Sequence, residues 1–270
     1  MPDRPAKPSI AELRVVCQPG GVTNRAGAEH WVAHVYLRQL SPYLTRILLK
    51  TSITPNGVTV LMILAGITAG LALLIPGLPG ATLALIMGQV QMLLDCCDGE
   101  IARWREQYSP KGVFLDKIGH YTAESVIPIA LGVRASGWPD VPLLTDGTLT
   151  SIWPVLGVLL ALFIVYNKAL NDMVHVSRAA AGLDRLPDNR EVGTPQGRTL
   201  RSLRSAARFV PFHRAYHSVE LTILAFIAAV IDAIAGDLIA TRVLVGALVV
   251  LAPVVILGHI AAIVTSRRLR

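Results

Sequence analysis

Charge is scarce in this sequence: Asp, Glu, Lys and Arg make up 16% of its 270 residues, where an ordinary soluble domain carries about 25%. A hydrophobic share of 53% accompanies the shortage. Together these exclude a disordered chain, which needs charge and few apolar residues to stay solvated. Cysteine is scarce too. There are three, and Cys96 and Cys97 are neighbours, so a secreted disulfide scaffold is excluded. Residues 1–27 lack a long apolar run and are interrupted by Pro2, Pro5, Pro8, Pro19, Gly20 and Gly21. No signal peptide is expected there, and the stretch reads as a loosely ordered cytosolic tail.

What the sequence does have is long apolar stretches under a net charge of +7. Six of them are expected to be transmembrane helices, at about 20 residues per span: 58–75, 81–94, 113–133, 152–176, 215–235 and 238–264. Pro76–Gly80 and Gly236–Asp237 read as tight turns, which makes spans one and two, and spans five and six, hairpin neighbours. Ahead of them, residues 28–50 place Trp31, Val32, Val35, Leu37, Leu40, Leu44, Ile47 and Leu48 at near-helical spacing among His30, Arg38, Arg46 and Lys50. That pattern suits a helix lying in the membrane interface, broken near Pro42, or an amphipathic helix packed on protein. The fold class expected is an all-α integral membrane protein: a tail over 1–27, an interfacial helix over 28–50 and a six-helix domain over 51–270.

Arginine placement orients the spans. Arg178, Arg185, Arg190, Arg198, Arg201, Arg204, Arg208 and Arg214 follow span four, and Arg267, Arg268 and Arg270 end the chain, whereas Ala135–Ser151 has no Lys or Arg. The positive-inside rule then puts both termini in the cytoplasm. The basic excess is accounted for by topology and lipid headgroups. Nucleic-acid binding has no motif behind it.

Pro79 to Asp95 covers about 24 Å at 1.5 Å per residue, most of a roughly 30 Å hydrocarbon layer. Asp95 and Asp98 are therefore expected near the cytoplasmic face, where span three also begins and carries Asp116. Asp95 and Asp98 are i, i+3, and Asp116 and His120 are i, i+4, so each pair projects from one side of its helix. Carboxylates gathered at the edge of a low-dielectric layer repel one another, and divalent cations relieve that repulsion. Oxygen-rich sites handling phosphate favour Mg2+ or Mn2+, and metal pairs serve in-line phosphoryl displacement. The bland alternative is ion pairing of these acids with Arg103, Arg105 and Lys117. Gly66 and Gly70 form a GxxxG spacing suited to helix packing.

These residues resemble the signature of the CDP-alcohol phosphotransferase (CDP-alcohol phosphatidyltransferase) family, D-x2-D-G-x2-A-R-x8-G-x3-D-x3-D. Asp95, Asp98, Gly99, Ala102, Arg103, Gly112 and Asp116 match it in type and spacing, and His120 stands where the family has its last Asp. Seven matches by accident have odds on the order of 10⁻⁹ per start point. Thr54, Pro55, Asn56, Val58 and Thr59 also look like the family's entry into its first span. The resemblance implies a homodimer of six-helix subunits with a cytoplasm-facing cavity, holding two divalent cations, Mg2+ or Mn2+. Its metal ligands would be Asp95, Asp98, Asp116 and His120, and its nucleotide site Asn56, Asp95, Gly99, Ala102, Arg103 and Gly112. Asp116 and His120 are the catalytic candidates, with His120 taking the general-base role of the missing acid.

A His is a competent base near neutral pH and can ligate a metal, yet it removes one negative charge, which leaves open a catalytically impaired homologue acting as a membrane scaffold. Glu124, one turn beyond His120, would either orient it or be a buried acid paired with a neighbouring helix. The implied reaction moves a substituted phosphate from a CDP-alcohol donor, such as CDP-diacylglycerol, to an acceptor alcohol with loss of CMP. Acceptor-binding candidates are Lys168, Arg178, Arg214 and His217, although Lys168 and Asp172 also have the spacing of an internal i, i+4 pair, and an interfacial Arg also serves as a lipid anchor. Cys96 and Cys97 read as inert small residues. A Mg-dependent membrane prenyltransferase would need a second acidic motif, for which Asp184 and Asp188 are the faint candidate.

Overall fold

The computed structural model describes residues 4–5, 8–19, 36–184 and 215–269. Its α-helices are α1 (Ile10–Cys17), α2 (Arg38–Leu48), α3 (Pro55–Ala72), α4 (Gly77–Arg105), α5 (Pro110–Ala135), α6 (Trp153–Ala180), α7 (Ser218–Ala235) and α8 (Ile239–Thr265). Residues 28–35 of the expected amphipathic helix and the arginines from Arg185 to Arg214 lie outside the described residues.

Local chemistry sets the helix ends. Thr54 accepts from the Gly57 N–H with Pro55 at the first helical position of α3, and Ser109 does the same for Gly112 with Pro110 opening α5. Glu106, at φ 55°, closes α4 in the left-handed conformation, and Gly236, at φ 76°, closes α7 at the expected turn. The turn expected at Pro76–Gly80 sits earlier, because the helix resumes at Gly77. Pro79 is tolerated there, since the first turn of a helix does not use its N–H groups. Arg134 of α5 secures this connection by donating to the carbonyls of Ile75 at 3.0 Å and Gly77 at 2.7 Å. Pro42 does not break α2, which runs through it.

α3 packs on both α4 and α5, α5 on α6, and α7 on α4. Small residues allow the close approaches: a Cβ at Gly66 would lie 2.8 Å from Ala123 Cβ, and one at Gly132 would lie 2.6 Å from Gly157 Cα. The GxxxG of the first span is thus a contact surface for α5, as expected. Ala69, Leu73, Ile127, Leu131, Leu160 and Leu221 fill the core at the centre of the bundle. The outer faces stay apolar and exposed, as at Leu162, Val250 and Val254, which suits contact with hydrocarbon.

Among the described residues, five helices, α3, α4, α6, α7 and α8, are long and apolar enough to cross a membrane. The chain is a helical membrane protein. The expected third span, α5, has the length but carries Lys111, Asp116, Lys117, Glu124 and Arg134, and it does not count among the five. The six-span expectation is met by composition in five places only, because α5, packed between α3 and α6, carries too many charged side chains; Glu124 and Arg134 are buried, whereas Lys111 and Lys117 are exposed. Between α5 and α6, β1 (Leu144–Thr145) and β2 (Thr148–Leu149) pair across Asp146 and Gly147, both at positive φ.

Candidate active site

α4 and α5 each contribute one polar face, and α3 supports both. His120 Nε2 lies 3.0 Å from Asp95 Oδ1 and 3.5 Å from Asp116 Oδ1. Asp95 and His120 are mostly buried, with 18% and 15% of their side chains exposed, and Asp116 is more open at 42%. One ligand atom from each of Asp95, Asp116 and His120 falls within 4.8 Å of the others. Two carboxylate oxygens and an imidazole nitrogen form a donor set that suits a divalent cation.

Asp98 stands slightly apart. Its Oδ2 accepts from Thr59 Oγ1 of α3 at 2.6 Å, and it is not in the three-residue group, although it remains within electrostatic reach of Asp95 and Asp116. In the sequence Thr59 stands only as part of the entry to the first span. Its role as partner of the acid is visible only when α3 is laid against α4.

The rest of the signature lines the same end of the bundle. A Cβ at Gly112 would come 2.9 Å from Asn56 Oδ1, so the carboxamide lies directly over the start of α5. A Cβ at Gly99 would come 3.1 Å from Arg103 Nη1 and 3.3 Å from Nη2, so the guanidinium lies over the residue next to Asp98. Here glycine leaves room for the side chain above it. Ala102 sits one turn past Asp98, and its carbonyl accepts from Gln107 N–H at 3.0 Å to close α4.

The cations named as alternative partners of the acids are directed elsewhere. Arg103 Nε donates to the Cys17 carbonyl at 2.6 Å, Arg105 Nη2 to the Thr51 carbonyl at 3.0 Å, and Lys117 to Asp172. Lys168 does not pair with Asp172 as the i, i+4 spacing suggested. Its Nζ bonds both carboxylate oxygens of Glu124, at 2.9 and 2.8 Å, while Asp172 is taken by Lys117 and by Tyr121 Oη at 3.1 Å. Contacts across the α5–α6 interface win because Glu124 is buried to 1% exposure and requires a partner.

His217 Nδ1 also reaches Glu124, at 3.3 Å. Glu124 therefore joins α5 to α6 and to the start of α7, which is the paired-acid reading of that residue. Lys168 acts electrostatically on Asp116 and His120 from this position. Arg178 donates to the carbonyls of Asp184 at 2.9 Å and Arg268 at 3.2 Å, tying the end of α6 to the C-terminal segment. Arg214 lies outside the described residues. Asn167 and Asn171 of α6 meet His259 at 2.9 Å and Arg268 at 3.3 Å.

Sequence reasoning also passed over Glu100. It lies inside the signature at 0% exposure, and its carboxylate accepts from Gln18, Ser41 and Thr45 at 2.8, 2.5 and 2.6 Å. The available signal was an acid flanked by the small and apolar residues Gly99 and Ile101.

A polytopic helical bundle with an Asp–Asp–His cluster at one end of two helices defines a membrane protein built around a candidate cation site. The family model described as CDP-alcohol phosphatidyltransferase matches residues 52–186, half of the chain. The protein belongs to that family, whose members transfer an alcohol-bearing phosphate group from a CDP-alcohol and generally use divalent metals. No curated protein matches the chain as a relative.

Proposed function

We propose that the protein transfers a substituted phosphate from a CDP-alcohol to an acceptor alcohol with release of CMP, in phospholipid or polyol-phosphodiester synthesis. The observation that carries this reading is the convergence of Asp95, Asp116 and His120 from two helices within 4.8 Å, on the residues that match the family signature.

Asp95, Asp98 and Asp116 would hold two divalent cations, Mg2+ or Mn2+, with His120 serving either as a further ligand or as the base, since one imidazole nitrogen does not do both at once. When bound, such ions neutralise charge on the phosphate and leaving-group oxygens. Thr59 fixes the Asp98 carboxylate by committing one of its oxygens. Asn56, Gly99, Ala102, Arg103 and Gly112 would line the nucleotide side, with Asp95. The Arg103 fork is suited to phosphate oxygens. The acceptor hydroxyl attacks the phosphorus carrying the donor alcohol, the bond from that phosphorus to the CMP oxygen breaks, and His120 Nε2 takes the hydroxyl proton. The products are a phosphodiester and CMP.

The same reading makes α5 the sixth span, with its polar face turned to the site. It puts the site and both chain ends at the cytoplasmic side, with membrane lipid as solvent and two copies as a homodimer. Lys168 and His217 would border the acceptor through Glu124, and Arg178 and Arg214 would meet an acceptor phosphate or lipid headgroups.

The His at the eighth signature position favours one other reading, a catalytically impaired homologue that serves as a membrane scaffold. CMP release from CDP-diacylglycerol and other CDP-alcohols, screened against acceptor alcohols, separates the two. Wild type is expected to release CMP, His120→Ala to lose most of that activity, on the order of 10²-fold, and His120→Asp to keep part of it. Full activity in His120→Ala would remove His120 from the chemistry, and no turnover with any donor would leave the scaffold reading.

A further inference from the structure

Arg4 and α1 grip the Arg105 end of α4. Arg4 Nη1 donates to the carbonyls of Arg103 and Trp104, Nη2 to Glu106 Oε1 at 2.7 Å, and the guanidinium stands 5.6 Å over the Trp104 ring. Ser9 and Glu12 form a capping box that starts α1. Leu13 and Cys17, both at 0% exposure, pack beside Trp104.

α1 ends on the signature itself. Cys17 Sγ donates to the Glu100 carbonyl at 3.3 Å, and the Cys17 carbonyl accepts from Arg103 Nε at 2.6 Å. Gln18 Nε2 reaches Glu100 Oε1 and the Arg38 carbonyl, each at 2.8 Å. The Arg38 carbonyl is the one that Pro42, four residues on and without an N–H, leaves open. The segment therefore completes α2 as well as α4. Ser41 and Thr45 then close the shell around the Glu100 carboxylate. Gln18, Ser41 and Thr45 are all neutral donors, and the Glu100 charge acts on Arg103.

Packing alone gives no reason for a buried carboxylate here, since burying a charge is costly even when neutral donors surround it. Its position does. Arg103 has its Nε fixed by Cys17 and its Nη groups laid over Gly99, beside Asp98. A long side chain held in place before the ligand arrives loses less freedom on binding it.

We propose that Glu100, Arg4 and the segment Ser9–Gln18 are positioning elements for Arg103, holding its guanidinium against Gly99 so that both Nη groups face the diphosphate of a cytidine nucleotide. This rests on the reading of the acid cluster as a CDP-alcohol site. The segment acts through Arg103 and touches no substrate, so its loss weakens nucleotide binding only while Arg103 is present.

The test is calorimetric binding of CDP to the full-length protein in detergent with Mg2+. Variants are Leu13→Asp, which expels α1, and Glu100→Gln, each alone and combined with Arg103→Ala. Either change is expected to raise the Kd of CDP about tenfold, the scale of one charge-assisted contact, and to leave it unchanged in the Arg103→Ala background. An equal rise with and without Arg103, or an unaltered Kd in Leu13→Asp, would overturn the proposal. If Leu13→Asp does not fold, the pair Arg4→Ala and Gln18→Ala carries the same comparison. Wild type that takes no CDP in the presence of metal overturns the donor reading and this inference together, whereas normal wild-type binding with an indifferent variant overturns the inference alone.

Discussion

His120 on α5 meets Asp95 on α4 at 3.0 Å, so the last position of the signature touches the first across two helices. The exchange of an acid for an imidazole at residue 120 is understandable in that contact. A carboxylate there would face Asp95 and Asp116 with like charge, whereas an imidazole nitrogen either donates to one of them or, deprotonated, ligates a cation, and repels neither acid. The cluster is thus one charge poorer than the family's, and its geometry depends more heavily on the groups that orient the acids.

Thr59 is the first of those groups. Its hydroxyl is expected to set the orientation of Asp98, so Thr59→Val should reduce metal-dependent CMP release by about 10-fold or more, the usual effect of losing an outer-shell partner. Thr59→Ser should restore it. Turnover in Thr59→Val equal to wild type would show that Asp98 needs no partner from α3.

Lys168 and Glu124 offer a stability test. Replacing Lys168 with Met leaves a buried carboxylate with His217 as its one remaining hydrogen-bond partner among the described residues, at a cost of about 3 kcal/mol. The double variant Glu124→Leu with Lys168→Met should recover most of the loss. Thermal unfolding in detergent reads both, and a single variant as stable as wild type would contradict the pairing.

Cys17 reports on the docking of α1. Burial, more than the nearby Glu100 carboxylate, pushes its thiol up to about 11, so the thiol is protonated at pH 8 and poorly nucleophilic. In a Cys96→Ala, Cys97→Ala background, alkylation should be slow at pH 8 and accelerate only as pH approaches 11. Leu13→Asp should make it fast at pH 8. Rapid labelling of the docked form at pH 8 would mean that α1 is not seated on Trp104.

Most of the helices were legible because a membrane helix is a long apolar run, and Thr54–Pro55 and Ser109–Pro110 mark two starts by chemistry confined to the first turn. The acids of the candidate site were legible for a similar reason: i, i+3 and i, i+4 spacing fixes which side of a helix they share. Partner choice was less so. The local spacing of Lys168 and Asp172 says nothing of Glu124 on another helix, and Thr59 gives no sign of Asp98 until α3 packs on α4. α1 was hidden differently. Its capping box, Ser9 and Glu12, stands in the sequence, but an eight-residue helix is marginal in isolation and exists because Leu13 and Cys17 find Trp104.

The central claim is that Asp95, Asp116 and His120 form a cation site on which CDP-alcohol cleavage depends. Its most direct test is CMP release by the purified protein after treatment with EDTA and then with graded Mg2+ or Mn2+. Chelation is expected to abolish release and either ion to restore it in wild type, with Asp95→Asn and Asp116→Asn inactive at all concentrations. Turnover that persists undiminished after chelation, or in either Asn variant, would contradict the account.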